Sequence, residues 1–198
     1  MRRHRGFDAP GPFLGLVLGT FVLVALAVAG FSTGAAPAGV AFLAGALYTA
    51  LSAASYGYTM GWGRARVWAE LLGPGGGESV LELGRRSLLV RAGSASGAAV
   101  GDLRDLPFAD GSFEVVISSL ALRDLRDAEG RARAVAEAFR VVRPGGRVLL
   151  AEVQGSEADE EVLRGLGGAD VRRRNLGWRF WYGGPWFATW LVEARKPS

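Results

Sequence analysis

The sequence has no cysteine, and only one of its 198 residues is histidine. Without cysteine the chain forms no disulfide and has no thiolate for catalysis or for binding zinc. The single histidine, His4, lies in the basic N-terminal tail. The rest of the chain therefore has no histidine for a Ser-His-Asp triad or a metal site, and we expect no bound metal.

Charge is missing from a long part of the chain. Residues 9–63 are 55 consecutive residues without a charged side chain. Within them, Pro12–Phe31 and Gly39–Tyr58 are apolar runs long enough to cross ~30 Å of hydrocarbon as helices. They predict a transmembrane helical hairpin, so that residues 1–63 are a membrane anchor. Residues 64–198 then form one globular domain of ordinary size.

Basic residues flank the apolar block, in the N-terminal tail and at Arg64 and Arg66. The positive-inside rule places both flanks and the following domain on the cytoplasmic side of the membrane. A cleaved signal peptide is the competing interpretation, because Ala36-Pro37-Ala38 resembles a cleavage site; a long first run followed by a second favours a retained hairpin. Gly15 and Gly19 have the spacing of a close contact between membrane helices.

Nucleic acid is not an expected partner, although the net charge is +4. Residues 64–198 carry 20 basic and 18 acidic side chains without a long run of like charge. A nucleic-acid-binding surface needs basic residues clustered on one face. The expected partner is instead the lipid bilayer.

Hydrophobic periodicity in the second part predicts alternating helices and strands. The last two β-rich segments, 170–182 and 187–194, are joined by a very short turn and must therefore be antiparallel. This pattern predicts an α/β fold with a parallel sheet that ends in an antiparallel hairpin. Helices are expected at 64–72, 128–141 and 157–166, and strands at 79–83, 114–118 and 147–153.

Several motifs resemble the class I S-adenosylmethionine-dependent methyltransferases, particularly the branch with ubiquinone and menaquinone biosynthesis enzymes. They lie at residues 80–84 (VLELG), 101–108 (GDLRDLPF), 110–118 (DGSFEVVIS) and 139–150 (FRVVRPGGRVLL). The aromatic tail, residues 176–186, is similar to that of actinobacterial membrane-associated methyltransferases. The resemblance implies a truncated Rossmann-like methyltransferase sheet.

The resemblance also implies S-adenosylmethionine as cofactor and suggests which residues bind it. Glu82 and Gly84 match the acidic residue and the first glycine of the cofactor loop. Asp102 matches the carboxylate that binds the adenine amino group, and Leu103 the residue against the adenine ring. Ser118 matches the end of the fourth strand, beside the cofactor.

Each of these residues also has a purely structural interpretation. Glu82 could pair with an arginine in residues 85–87, Asp102 could cap its loop, and Ser118 could simply end a strand. Residues 85–87 (RRS) also stand where the family has further glycines, so backbone approach to a ligand would meet side chains. No catalytic base can be assigned, because residues 121–126 depart from the family pattern.

The connection between the first two strands is short. Only 14 residues run from Gly84 to Gly97, whereas two crossovers and a strand need about 25 or more. The family's second strand, and the carboxylate on it that binds the ribose, are therefore expected to be missing. Strand 98–101 should either pair directly with strand 79–83 or form a ragged edge, and cofactor affinity should suffer.

Aromatic residues are concentrated near the C-terminus, and three interpretations of them stay open. They could pack in the sheet or core, with alternate positions on one strand face. They could lie at the bilayer interface, or cover a lipid-like substrate. The residues are Trp178, Phe180, Trp181, Tyr182, Trp186, Phe187 and Trp190.

Two functions are consistent with these features. The first is a membrane-anchored methyltransferase that acts on a lipid or quinone-like acceptor from the cytoplasmic side. The second is an inactive remnant of that fold that serves as a membrane-bound interaction or scaffold protein, favoured by the missing strand. The function of such a chain depends on the completeness of its site rather than on its fold.

Overall fold

The computed structural model describes residues 10–73, 79–84, 97–99 and 101–198. The chain divides into two compact units. One contains the residues up to Ala69 together with Gly177–Ala188; the other contains Glu70–Leu176 and Thr189–Ser198. Residues 177–188, which the sequence pattern assigned to the second domain, thus cluster with the N-terminal helices.

The first unit is built on two long helices, α1 (Pro10–Ser32) and α2 (Ala36–Tyr58). A π-helical turn, Thr59–Gly63, joins α2 to α3 (Arg64–Leu72). Both apolar runs are thus helical, as predicted. Two helical stretches, Gly11–Ser32 and Ala36–Leu72, are long and apolar enough to cross a membrane.

Helices α1 and α2 approach each other closely beside the turn that joins them. A methyl group added to Gly30 would lie 2.8 Å from the backbone nitrogen of Gly39, so glycine permits this approach. Cβ atoms added to Gly15 and Gly19 would meet nothing within 4 Å. The prediction that Gly15 and Gly19 form the helix contact is therefore wrong among the described residues, because the small residues that meet lie near the turn.

The second unit is built on a six-stranded sheet with the strand order β2-β1-β3-β4-β6-β5. Strands β1 to β4 are parallel, β6 is antiparallel to β4, and β5 is antiparallel to β6. The strands are β1 (Val80–Leu83), β2 (Gly97–Ala99), β3 (Phe113–Ser119), β4 (Val142–Glu152), β5 (Ala169–Asn175) and β6 (Trp190–Arg195).

The apolar face of helix α4 (Ala128–Val141) contributes to the hydrophobic core of this unit. Its N-cap is Asp127, whose carboxylate accepts a hydrogen bond from the amide of Gly130, the usual stabilisation of a helix start. The helical spacing of apolar residues predicts the buried face correctly. A further helix of the unit is α5 (Ser156–Gly165). The buried α4 side chains include Ala134, Val135, Ala138 and Phe139.

Strand β2 pairs directly with β1, which confirms one of the two expectations for the short connection. Leu81, Glu82 and Leu83 lie opposite Gly97, Ala98 and Ala99. The strand begins one residue earlier than predicted and lies at the edge of the sheet. The segment whose motif resembles the family's third strand is therefore the immediate neighbour of the first.

The last two strands are antiparallel, as predicted, but their connection is longer and differently built. Residues 178–180 form a 3-10 helix rather than a strand, so alternate aromatic positions do not share a strand face and that prediction is wrong. Gly177, Gly183 and Gly184 have φ values of +73°, +101° and +144°. Such conformations suit glycine and end an extended strand.

The C-terminus of α4 is stabilised by the only lysine of the sequence. The Lys196 Nζ atom donates to the carbonyl oxygens of Phe139, Arg140 and Val142 at 3.1, 2.9 and 2.8 Å. These carbonyls lie where a helix has no intrahelical donors and where its dipole favours a cation.

We expect Lys196→Met to lower the free energy of unfolding by about 1–3 kcal/mol, because partly buried carbonyl oxygens lose a charged donor. Urea unfolding of the detergent-solubilised chain, followed by circular dichroism, measures this change. Arg195→Met at the exposed neighbouring position is the control and should change stability by less than about 0.5 kcal/mol. Equal effects of the two substitutions would contradict the interpretation.

Candidate functional site

The carboxyl ends of the four parallel strands define the candidate site. In an open α/β sheet, ligands bind in the crevice outside these ends. Register places Leu83 opposite both Ala99 and Ser118, and Ser118 opposite Leu150. The carboxyl ends of β1, β2, β3 and β4 therefore lie at one edge of the sheet.

Gly84, the first residue after β1, occupies a position that requires glycine. Its φ is +111°, and a Cβ atom there would lie 2.8 Å from the Cβ atom of Ala121. The turn after β1 thus packs closely on the loop after β3. Because Gly84 has no side chain, the backbone of this turn stays accessible. The remaining residues of the expected cofactor loop, Arg85, Arg86 and Ser87, lie outside the described residues.

Glu82, on β1, is almost completely buried between two neighbouring strands. It lies opposite Ala98 on one side and Ile117 on the other. An acidic residue is rarely found in such a place without a partner, and Glu82 does take part in further interactions. Its predicted role in cofactor binding stays a prediction.

Asp102 is exposed and its carboxylate is engaged by a neighbouring arginine. Its Oδ1 atom accepts from the Arg104 amide at 3.0 Å and from Arg104 Nε at 2.8 Å, and its Oδ2 atom accepts from Arg104 Nη2 at 2.9 Å. These hydrogen bonds lower the pKa of Asp102 to about 2. The loop-capping interpretation describes these contacts, and an adenine amino group would have to share the same oxygens.

Leu103 is buried in the hydrophobic core together with Leu106. Its side chain therefore packs inside the domain, while its role against an adenine ring stays a prediction. Beside Asp102 the surface has an open, polar cleft of about 400 Å³. The cleft is lined by Asp102, Arg104, Asp105, Asp127, Glu129, Gly130 and Arg133.

Ser118 is completely buried and binds a second buried residue, Glu152, at the end of β4. The Ser118 hydroxyl donates to Glu152 Oε1 at 2.8 Å, and the amide of Leu122 donates to the same oxygen at 3.2 Å. The amide of Ala121 in turn donates to Ser118 Oγ at 3.3 Å. Ser118 therefore does more than end a strand, because it links β4 to the loop after β3.

Glu152 was not among the sequence-predicted site residues, although one signal was available. It is an acidic residue at the end of an otherwise apolar strand segment, Val148–Ala151. Burial raises its pKa to about 7, against the opposing effects of the Ser118 hydrogen bond and the charge of Arg131. A carboxyl group with a pKa near neutrality at a strand end marks a candidate functional residue.

Two buried polar atoms at this edge have no hydrogen-bond partner among the described residues. They are Glu152 Oε2 and Ser119 Oγ. Buried polar atoms in native proteins are nearly always hydrogen-bonded, so an unpartnered one needs a specific explanation such as a ligand. Ser119 lies at the strand end that the resemblance places beside the cofactor, and Glu152 binds the neighbouring Ser118.

The backbone between these residues is strained at Leu120. Its φ is +63°, a left-handed conformation that is unfavourable for a large side chain. Its amide donates to the carbonyl of Ala151 at 2.9 Å, which holds it in place. Strain of this kind tends to accumulate at functional sites.

A buried ion pair supports the same end of β4. Arg131 binds Asp159 through two hydrogen bonds of 2.7 and 2.6 Å, and also donates to the carbonyl of Gln154 at 3.0 Å. Burial raises the pKa of Asp159 against the opposing effect of Arg131. Gly155 allows the approach, because a Cβ atom there would lie 2.7 Å from the Arg131 guanidinium carbon.

We expect the free energy of unfolding to fall as the pH rises from about 4.5 to about 7, the pKa values of Glu152 in the unfolded and folded states. In this window the folded chain keeps a proton that the unfolded chain has released, so a rising pH favours unfolding. Glu152→Gln should reduce this slope, as measured by urea unfolding at several pH values. The control Glu161→Gln, at an exposed position, should keep it; an unchanged slope in Glu152→Gln would contradict the assignment.

Comparison with known proteins agrees with this geometry. Residues 85–150 match the family model described as a methyltransferase domain. The [4+2]-cyclase SpnF has a similar structure, with a TM-score of 0.52 and 17% identity, over 69% of this chain and 81% of that chain. Phosphoethanolamine N-methyltransferase 2 of Haemonchus contortus was solved with phosphomonomethylethanolamine and S-adenosylhomocysteine. Its structure has a TM-score of 0.56 and 14% identity, over 73% of this chain and 57% of that chain. The match to the family model and the structural similarity support a fold of the class I S-adenosylmethionine-dependent methyltransferases.

Two curated relatives match part of the chain. The ubiquinone/menaquinone biosynthesis C-methyltransferase UbiE of Ralstonia pickettii is 37% identical over 95 residues, or 44% of this chain and 37% of that protein. The demethylmenaquinone methyltransferase of Thermobifida fusca is 37% identical over 102 residues, or 50% of this chain and 37% of that protein. The chain thus spans little more than a third of the length of these curated relatives.

Proposed function

We propose that this chain is a membrane-anchored methyltransferase that uses S-adenosylmethionine and acts on a lipid or quinone-like acceptor. The observation that carries the proposal is the convergence of Gly84, Ser118 and Glu152 at the carboxyl edge of a methyltransferase sheet. Bound S-adenosylmethionine supplies a methyl group on a positively charged sulfur. The chain's residues then need mainly to orient the two reactants and exclude water.

The described residues fit this cofactor in three respects. The backbone of the turn at Gly84 is accessible to a ligand because glycine has no side chain to cover it. The cleft beside Asp102 is polar and has a volume of about 400 Å³. The Ser119 Oγ and Glu152 Oε2 atoms are buried and have no hydrogen-bond partner among the described residues. Gly84 would lie along the methionine end of the cofactor, and Asp102 would bind the adenine end.

The direct pairing of β2 with β1 leaves no room for the family's second strand and its ribose-binding carboxylate. A buried polar group that loses its partner costs about 1–3 kcal/mol. We therefore infer that the cofactor binds more weakly here than in a methyltransferase with the complete sheet. The same deletion favours a second candidate function, an inactive remnant that serves as a membrane-bound interaction protein.

The acceptor class follows from the relatives and from the first unit. Both curated relatives are named as quinone-biosynthesis methyltransferases. A quinone with an isoprenoid tail partitions into a bilayer, so a membrane anchor would place the enzyme beside its substrate. The apolar helices α1 and α2 provide such an anchor, with the basic flanks on the cytoplasmic side.

We expect the full chain, reconstituted in liposomes, to transfer radiolabelled methyl groups from S-adenosylmethionine to a demethylated menaquinone. Gly84→Ala should reduce the rate roughly a hundredfold, because the added Cβ atom collides with Ala121 and displaces the turn at the cofactor edge. Gly165→Ala is the matched control, since a Cβ atom there meets nothing within 4 Å.

Equal rates in these two variants would contradict the role of Gly84. No transfer by the unmodified chain, at saturating cofactor and acceptor, would favour the inactive remnant over the enzyme.

A further inference from the structure

The aromatic segment, defined as Gly177–Ala188, packs along helix α2 within the first unit. At one end, the carbonyl of Arg179 lies against Gly63, where a Cβ atom would collide with it. Further along, the carbonyl of Trp181 accepts hydrogen bonds from Thr59 Oγ1 at 2.7 Å and from Ser55 Oγ at 3.4 Å. The segment therefore follows α2 in the direction of its N-terminus.

The far end of the segment reaches the middle of α2. The indole Nε1 atom of Trp186 donates to the hydroxyl of Tyr48 at 2.6 Å. Between Gly63 and Tyr48 lie 15 helical steps, or about 20 Å at 1.5 Å per residue. The aromatic segment thus runs beside α2 from Gly63 to Tyr48, and residues 48–58 of this stretch belong to the predicted span.

This depth can be compared with that of a bilayer. A hydrocarbon core of ~30 Å corresponds to ~20 helical residues. Counted from Ala36, the first residue of α2, the apolar core ends near residue 55. Tyr48, and with it Trp186, then lies about 10 Å inside the hydrocarbon.

Several backbone polar groups of the segment meet the condition for such a location. Irregular backbone at membrane depth has to have its polar groups satisfied by protein. Phe180 donates to the carbonyl of Gly177 at 3.0 Å, and Phe187 to that of Gly184 at 3.1 Å, in two 3-10 turns. The Ser and Thr hydroxyls of α2 and the π-helical turn bind the carbonyl of Trp181 between these turns.

The side chains of the segment also match the depth. Its one charged residue, Arg179, lies at the shallow end beside Gly63. Trp178 stacks on Tyr58 there, with ring centroids 5.1 Å apart, as in the aromatic belts of membrane proteins. At the deep end, Trp186 and Phe187 are 69% and 52% exposed, so large apolar surfaces face outward.

We propose that the aromatic segment is a re-entrant membrane element, inserted beside α2 with Trp186 and Phe187 in contact with lipid acyl chains. This inference rests on the proposed anchoring by α1 and α2. It assigns the outward aromatic surface one partner, the bilayer, because the surface is continuous with the exposed apolar side chains of α2 such as Leu47 and Leu51. A protein partner on this surface is the alternative that the experiment must distinguish.

The absence of cysteine makes single-cysteine labelling a direct test. Phe187→Cys probes the deep end of the segment. Leu47→Cys, on the outer face of α2, is the lipid reference, and Leu166→Cys, exposed in the second unit, is the water reference. Each variant of the full chain is reconstituted in liposomes and treated with a charged, membrane-impermeant thiol reagent from the side of residue 166.

We expect Cys substitutions at 47 and 187 to react at least about tenfold more slowly than the one at 166, because water is excluded from the bilayer core. A rapid reaction at 187 with a slow one at 47 would overturn the re-entrant element and leave the anchoring intact. A rapid reaction at 47 would overturn the anchoring itself, and the inference with it.

A second measurement separates lipid from protein contact. A bimane fluorophore attached at position 187 should be quenched by phospholipids that carry a nitroxide on the acyl chain, as should one at 47. Slow labelling at 187 without quenching would mean that protein covers the segment, and would overturn contact with lipid. The bimane attached at 166 is the unquenched control.

Discussion

The direct parallel pairing of β2 with β1 determines the geometry of the second unit. Only 14 residues run from Gly84 to Gly97, both included, too few for an additional strand with its two crossovers. The sheet therefore continues from β1 to β2 without an intervening strand, and β2 is its edge. The remaining strand order still brings the ends of β1, β3 and β4 together at the candidate cofactor site.

Within that site, the buried Glu152 connects elements that are far apart in sequence. Its hydrogen bonds from Ser118 and Leu122 join the end of β4 to the loop after β3. The close contact of Gly84 with Ala121 joins the turn after β1 to the same loop. One buried acid and one glycine thus connect the ends of β1, β3 and β4 at this edge.

The elements with strong periodicity could be predicted from the sequence, because their burial follows local pattern. Helix α4 runs from Ala128 to Val141, as the spacing of its apolar residues indicates. The link between Ser118 and Glu152 could not be predicted, since the two residues are 34 positions apart and meet only through the pairing of β3 and β4. The position of the aromatic segment could not be predicted for a similar reason. Trp181 and Thr59 are 122 positions apart, and Gly183 and Gly184 look like an ordinary hairpin turn in the sequence.

The central claim is that a methyltransferase sheet without one strand keeps a functional cofactor edge. Isothermal titration calorimetry of the detergent-solubilised full chain with S-adenosylhomocysteine tests it most directly. We predict saturable binding with a dissociation constant below about 1 mM. Asp102→Ala should weaken this binding, and Asp124→Ala, which removes a largely exposed carboxylate, should not. The absence of binding heat at millimolar ligand would contradict the account.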